Sequence, residues 1–237
     1  MALPNELKVL STTAMKMVFE ELAPVFEGDS GYRLAVDLGP SLQLEKRLAE
    51  GEAADVAIVT RLGAQDLIAQ GKLAAGSLVD VARSLIGVCV AKGAARPDLS
   101  SVEGFKAAML SAKSIALSKP VGGGASGAHM AKVFDQLGIA AAIQAKAKYG
   151  AGGARGLAAL AVSRGEAEIG IQQMAELLAV PDIEVVGPLP AALQAVTQFT
   201  AAVPASAQHG GAARALIDFL ATPAAKSVIK ARGLEPN

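Results

Sequence analysis

Short, continuously apolar segments alternate with amphipathic helical segments along the whole chain, and this alternation sets the fold class. The predicted strands Val56–Val59, Leu85–Val90 and Ile169–Ile171 are apolar throughout, which is typical of strands covered on both faces. Between such strands lie segments with helical spacing, of which Ser41–Ala49 and Pro223–Ala231 are clear examples. The pattern predicts an α/β protein in which helices pack onto parallel sheets.

Composition and charge exclude several classes of protein. Twenty-two basic and 22 acidic residues give a formal net charge of zero, whereas nucleic-acid binding needs a basic excess. The longest apolar run, Leu78–Ala91, contains Asp80 and Arg83, so no segment is predicted to span a membrane. One cysteine, Cys89, and two distant histidines give no pattern for a disulfide or a zinc site. We therefore expect no metal site, no nucleic-acid partner and no membrane span.

Four predicted strand-to-helix junctions offer hydroxyl groups or bare backbone N–H groups. In parallel α/β sheets such junctions gather at the carboxyl ends of the strands, where ligands bind. Free N–H groups and the positive end of the helix dipole favour anions there. Each junction alone is ordinary helix capping, but four together predict a cleft that holds a small anion with neutral donors. The junctions are Ser11-Thr12-Thr13, Gly39-Pro40-Ser41, Gly122–Gly127 and Gly152-Gly153-Ala154.

The Gly122–Gly127 segment also has the form of a dinucleotide-binding loop. That function needs an acidic residue about 20 positions further on, and no Asp or Glu occurs from Gln136 to Gly165. A phosphate-binding P-loop would end in Lys-Ser or Lys-Thr, and a nucleophile elbow would need glycine where Ala128 stands. We therefore expect no cofactor, and two interpretations remain: an anion site, or a flexible loop with a good helix cap.

Charge is unevenly distributed along the chain. Between Ser111 and Gly165 there are seven basic residues and one acidic residue, Asp135, so this segment carries +6 within a neutral chain. Such a segment attracts small anions. A solvated lysine face with no function explains the same pattern equally well.

Residues suited to catalysis are few. His129 falls inside a predicted helix, and Cys89 falls inside an apolar strand as a small core residue. Arg83 precedes a predicted crossover strand, where it either anchors two domains or contacts a ligand. Gln172 and Gln173 follow an apolar strand, where they either line the ligand crevice or cap the coil.

Six motifs in a fixed order carry a family resemblance. The first three are V-L-S-T-T-A-M, G-P-S-L-Q-L-E-K-R-L and G-E-A-A-D-V-A-I-V. The later three are G-A-R-G-L-A-A-L-A-V-S-R-G-E-A-E-I-G-I, V-V-G-P-L-P and A-R-A-L-I-D-F-L-A-T-P-A-A-K. Their order and spacing resemble the type 2 periplasmic solute-binding proteins, especially the molybdate-binding branch, over nearly the whole chain.

The resemblance implies a two-lobed α/β fold of the type 2 periplasmic-binding-protein kind, with two crossover strands and an interlobe cleft. One lobe would comprise residues 1–82 and 197–237, and the other residues 83–196. In such proteins the ligand binds between the lobes and a hinge closes over it. The candidate ligand-binding residues are Ser11, Thr12, Thr13, Ser41, Arg83, Ser118, Ser126, Gly127, Gly153, Ala154, Gln172 and Gln173.

The function implied is capture of a small anion, either an oxyanion or a small organic acid, for an ABC-type transporter. Where molybdate binders carry Tyr and Asp after the last strand of the second lobe, this chain has Gln172-Gln173-Met174-Ala175-Glu176, which favours an organic anion. The alternative is an isomerase acting on a polycarboxylate by proton transfer, because aconitate isomerase resembles this branch. Its acid or base would come from Lys119, from His129 or from a hydroxyl that one of them partners. Binding needs no such group and is the favoured interpretation.

The resemblance also sets expectations for partners and location. We expect a monomer whose partners are a small anionic ligand and a transporter permease. The start Met1-Ala2-Leu3-Pro4 has no signal-peptide pattern. The protein is therefore expected to be periplasmic if a leader has been removed and cytoplasmic otherwise.

Overall fold

The computed structural model describes residues 5–150 and 157–237 as alternating strands and helices. The strands are β1 (Glu6–Thr12), β2 (Arg33–Gly39), β3 (Val56–Thr60), β4 (Val79–Ala91), β5 (Ile115–Leu117), β6 (Ala147–Tyr149), β7 (Ile169–Gln173), β8 (Ile183–Pro188), β9 (Val196–Ala202) and β10 (Glu235–Pro236). The helices are α1 (Lys16–Ser30), α2 (Ser41–Ala49), α3 (Arg61–Ala69), α4 (Val102–Ser111), α5 (Ala125–Gln136), α6 (Ala140–Gln144), α7 (Ala158–Ser163), α8 (Met174–Leu178), α9 (Gly210–Leu220) and α10 (Pro223–Ala231).

The chain divides into two compact units. Unit 1 is Met1–Arg83 with Thr197–Asn237, and unit 2 is Ser84–Val196. Both passages between the units therefore lie in strands, the first inside β4 and the second at the start of β9.

Unit 1 contains a mixed sheet in the order β2-β1-β3-β9-β4, with β10 also beside β4. Strand β1 runs parallel to β2 and to β3, and its register places Thr12 opposite Gly39. The carboxyl ends of β1 and β2 therefore meet at one edge of the sheet. On one face Leu10 and Val59 pack with Leu44 of α2 and Leu67 of α3, which fixes the start of both helices near that edge.

Unit 2 contains a second set of strands in the order β4-β7-β5-β6, with β8 also beside β4. Strand β5 runs parallel to β6 and to β7. Its core includes Phe105 and Met109 of α4 and Met130 and Phe134 of α5, packed on Ile115 and its neighbours. The carboxyl ends of β5 and β7 align because Leu117 pairs with Ile171.

The alternation of strands and helices is confirmed, but the expectation of purely parallel sheets was wrong. Strand β9 is antiparallel to β3, and β4 is antiparallel to β7, β8 and β10. Strands β4 and β9 carry the chain between the units, and β7, β8 and β10 pair with β4. Their direction is set by the path of the chain, which local sequence does not encode.

Several boundaries also differ from the sequence prediction. Strand β4 is 13 residues long, whereas only Leu85–Val90 was predicted. Helix α6 and strands β6 and β10 were not predicted. After the junction Gly152-Gly153-Ala154, which lies outside the described residues, the chain is helical from Ala158 to Ser163. In the part of the chain that the structure describes, no helix is both long and apolar enough to cross a membrane.

Candidate functional site

Four buried hydroxyl residues of unit 1 meet where β1 and β2 end; we call Ser11, Thr12, Thr13 and Ser41 the hydroxyl cluster. Ser41 Oγ donates a hydrogen bond to Thr12 Oγ1 at 3.1 Å, and Ser11 Oγ donates to Thr12 O at 3.4 Å. Pro40, not Ser41, is the N-cap of α2, so the expected capping role of Ser41 was wrong. Its hydroxyl is instead directed at the neighbouring strand end, which makes a polar surface suited to hydrogen-bonding a ligand.

A third strand end of unit 1 adds a residue that sequence reasoning missed. Thr60 ends β3 and caps α3, since Gly63 N donates to Thr60 Oγ1 at 3.1 Å. Glu45 of α2 accepts from Thr60 Oγ1 at 2.6 Å and from Thr60 N at 3.1 Å. Burial raises the pKa of the Glu45 carboxyl. The available signal was a threonine between an apolar strand and a helical segment.

Two serines converge at the start of α5 in unit 2; we call Ser118 and Ser126 the serine pair. Ser118 follows β5, and Ser126 lies in the first turn of α5. Their Oγ atoms lie 3.7 Å and 3.9 Å from the position that a Cβ atom on Gly124 would occupy. Ser126 is 1% exposed, and within the described ranges its Oγ has no hydrogen-bond partner. Most buried hydroxyls in proteins have a hydrogen-bond partner, so Ser126 is a candidate ligand-binding residue.

The glycines of the same loop are explained by close backbone packing. A Cβ atom on Gly127 would overlap the carbonyl oxygens of Ser118 and Lys119, and one on Gly123 would overlap Lys119 O. Gly124 differs, because its nearest neighbour would be 3.7 Å away, an ordinary contact. The loop is therefore folded tightly under the first turn of α5, which presents the serine pair.

We expect Gly127→Ala to distort this loop and Gly124→Ala to leave it intact. Overpacking of this kind costs about 1–3 kcal/mol, and here the overlapped atoms are backbone that has no alternative rotamer. Thermal unfolding of both variants measures the difference. Gly124→Ala is the matched control, since Gly124 has φ −87° and open space around its Cβ position. Equal unfolding temperatures for the two variants would contradict the described packing.

A hydrogen-bonded chain of buried side chains lies at the end of β7 and in α8. Gln172 Oε1 accepts from Ala158 N, in the first turn of α7, at 2.6 Å. Glu176, 8% exposed, accepts from the Gln172 side chain and from the backbone N–H of Gln173. Burial raises the pKa of Glu176 to about 7. The two glutamines are buried, and both the crevice and the capping interpretation remain predictions. Glu176 is a second functional candidate that sequence reasoning missed.

The remaining sequence candidates have other partners, are exposed or buried in the core, or lie outside the described residues. Arg83 is half-exposed and pairs with Glu235 of β10 at 3.4 Å, within unit 1. His129 Nε2 lies 2.8 Å from Leu193 O, and Lys119 is exposed. Cys89 is fully buried, and burial raises the pKa of its thiol to about 12, as befits a core residue. Two predicted ligand-binding residues, Gly153 and Ala154, lie outside the described residues.

Comparison with known proteins relates this arrangement to a family. Residues 7–235 match the model of the family described as bacterial extracellular solute-binding protein. An aconitate isomerase from Pseudomonas sp. is 35% identical over 236 residues, covering 97% of this chain and 87% of that protein.

Two solved structures are similar in fold. The periplasmic molybdate-binding protein of Azotobacter vinelandii has a TM-score of 0.79 at 21% identity, covering 96% of this chain and 98% of that chain. The sulfate-binding protein of Mycobacterium tuberculosis H37Rv has a TM-score of 0.76 at 17% identity, covering 98% of this chain and 87% of that chain. At these identities the likeness establishes the periplasmic-binding-protein fold.

Proposed function

The chain belongs to the family of bacterial extracellular solute-binding proteins, and we propose that it captures a small anion with the hydroxyl cluster and the serine pair. The observation that carries the proposal is Ser126, whose buried hydroxyl lacks a partner among the described residues. An anion at that position accepts its hydrogen bond.

Neutral donors suit an anion that must be released again. Hydrogen bonds to a charged acceptor contribute about 1.5–3 kcal/mol each. Buried hydroxyls fixed on strand ends and helix starts lose little conformational entropy on binding, whereas exposed lysines such as Lys119 would have to be ordered. The 12-residue helix α5 adds the positive end of its dipole beside Ser126.

We propose candidate ligand donors for each unit in turn. The candidates in unit 1 are the hydroxyl cluster; those in unit 2 are the serine pair, Gly127 and the two buried glutamines. A transporter permease is the proposed partner, and the periplasm is the proposed location of a leader-bearing form. The similarity in fold to proteins described as molybdate-binding and sulfate-binding supports an anion as the ligand.

A thermal-shift screen tests the proposal. Molybdate, sulfate and a series of mono-, di- and tricarboxylates are each added to the purified protein, after native mass spectrometry for a co-purified ligand. A specific ligand at about 100 times its Kd stabilises the folded state by about 2.7 kcal/mol. We expect at least one anion to do so and matched neutral compounds to fail. Stabilisation by a neutral or cationic compound alone contradicts the proposal.

A second candidate function is isomerisation of a polycarboxylate by proton transfer. The 35% identity with an aconitate isomerase favours it, and so does Glu176, whose pKa of about 7 suits a group that takes and returns protons. Glu176 replaces the earlier candidates, because His129 Nε2 is engaged with Leu193 O and Lys119 is exposed. Turnover of cis- or trans-aconitate, followed by NMR in D2O, distinguishes the enzyme from the receptor.

A further inference from the structure

A cavity of about 220 Å³ lies inside unit 2, beside the serine pair. Ser118 and Gly127 belong to its lining and also to the candidate anion site. The cavity therefore adjoins Ser118, one of the two serines proposed to hold an anionic group. It is bounded by the ends of β5 and β6 and by α5 and α6.

The wall of this cavity is largely apolar. Leu117, Met130, Phe134 and Ile143 line it, and each of them is a buried member of the unit 2 core. Among the described residues of the lining, Asp135 is the one charged residue, and it is exposed; Gln144 and Tyr149 are the neutral polar side chains beside Ser118. The Asp135 carboxylate repels a second anionic group, and the apolar wall favours hydrocarbon.

We propose that this cavity holds the hydrocarbon part of an organic monocarboxylate whose carboxylate is bound by the serine pair. The inference rests on the proposed anion-binding function and narrows its ligand class. A volume of about 220 Å³ equals the share of about seven waters at ~30 Å³ each. A compact oxyanion held at Ser118 would leave that space unused. Moving a hydrocarbon chain from water into it is favourable in proportion to the apolar area removed from water.

Straight-chain monocarboxylates from acetate to hexanoate test this inference by calorimetry. Each added methylene that enters the cavity should tighten binding about fourfold, until the cavity is full. Sulfate and molybdate serve as anions without a hydrocarbon part. An affinity that is flat along the series, or binding of the oxyanions only, overturns the inference and leaves the anion-binding proposal standing. Failure of every anion overturns the proposed function itself.

The variant Ala131→Phe tests whether the hydrocarbon part of the ligand occupies this cavity. Ala131 is a partly buried residue of α5 in the cavity lining, so a phenyl ring there occupies the space. The variant should bind hexanoate at least tenfold more weakly and acetate as the wild type does. Lys132→Phe places the same ring at the next, exposed position of α5 and should change neither affinity. Equal loss for acetate and hexanoate in Ala131→Phe, or no loss for either, overturns the inference.

Discussion

Glu176→Gln should unfold at a higher temperature than the wild type at pH 8, with a gain of about 3 kcal/mol in the free energy of unfolding. Burial raises the pKa of this carboxyl from 4.5 to about 7, so ionisation costs more in the folded protein than in the unfolded chain. Glutamine resembles the neutral acid and cannot ionise. In a chain of this size, each kcal/mol gained raises the unfolding temperature by about 2–4 °C.

The sign of the pH dependence follows from the raised pKa. The contribution of Glu176 to stability is fully present below pH 4.5 and is lost as pH rises through about 7. The difference between variant and wild type should therefore vanish near pH 4. Glu52→Gln is a control of opposite sign, because hydrogen bonds from Arg47 and Lys8 lower the pKa of Glu52 to about 2. That variant should be less stable than the wild type at pH 7.

The same variant separates the two candidate functions. If the protein isomerises a polycarboxylate through Glu176, Glu176→Gln should abolish turnover while still binding the substrate. A stability difference that is equal at pH 4 and pH 8 would contradict the described burial. Turnover that survives the substitution would remove Glu176 from the reaction.

Ser126→Ala and Thr13→Val should each weaken binding of the anion found in the screen by about 10- to 150-fold. The range follows from the loss of one hydrogen bond to a charged group in a dry site. Ser126 and Thr13 represent the two units, and both are buried. Calorimetry of each variant measures the loss. Unchanged affinity in both variants, with folding intact, would place the site elsewhere.

Stability distinguishes a binding role of Ser126 from a structural one. Its Oγ has no partner in the described part of the free protein, so removing the hydroxyl should leave the unfolding temperature unchanged or raise it. Removing the hydroxyl of a serine with a structural role would lower the unfolding temperature. Ser111→Ala is a matched control, since Ser111 is an exposed residue of unit 2 whose hydroxyl donates to Ala108 O. It should alter neither affinity nor stability appreciably.

The sequence was most informative where local rules decide the structure. The bounds of α2 and α10 match the prediction, because Pro40 lies directly before α2 and Thr222 caps α10 ahead of Pro223. The hydroxyls of the site were found for the same reason, as residues at strand ends and helix starts. The antiparallel course of β4 and β9 was missed because strand direction depends on how distant segments pack.

The carboxyls of the site were missed for a related reason. Glu45 acquires its raised pKa from burial, which outweighs the lowering effect of the hydrogen bonds from Thr60. Glu176 acquires its raised pKa from burial beside α7 and β7. The burial of these two carboxyls cannot be predicted from the spacing of nearby residues in the sequence. The lack of a partner at Ser126 is likewise a property of the folded loop and of the glycine packing beneath α5.

The position of β9 affects the order in which the chain becomes complete during translation. Strand β9 lies between β3 and β4 in unit 1, so that sheet lacks an inner strand until residue 202 has left the ribosome. Unit 2 is one continuous segment and has all its strands by then. Domains fold as units during synthesis. In this protein the inserted unit therefore has all its strands before Thr197–Asn237, which belong to unit 1, have been made.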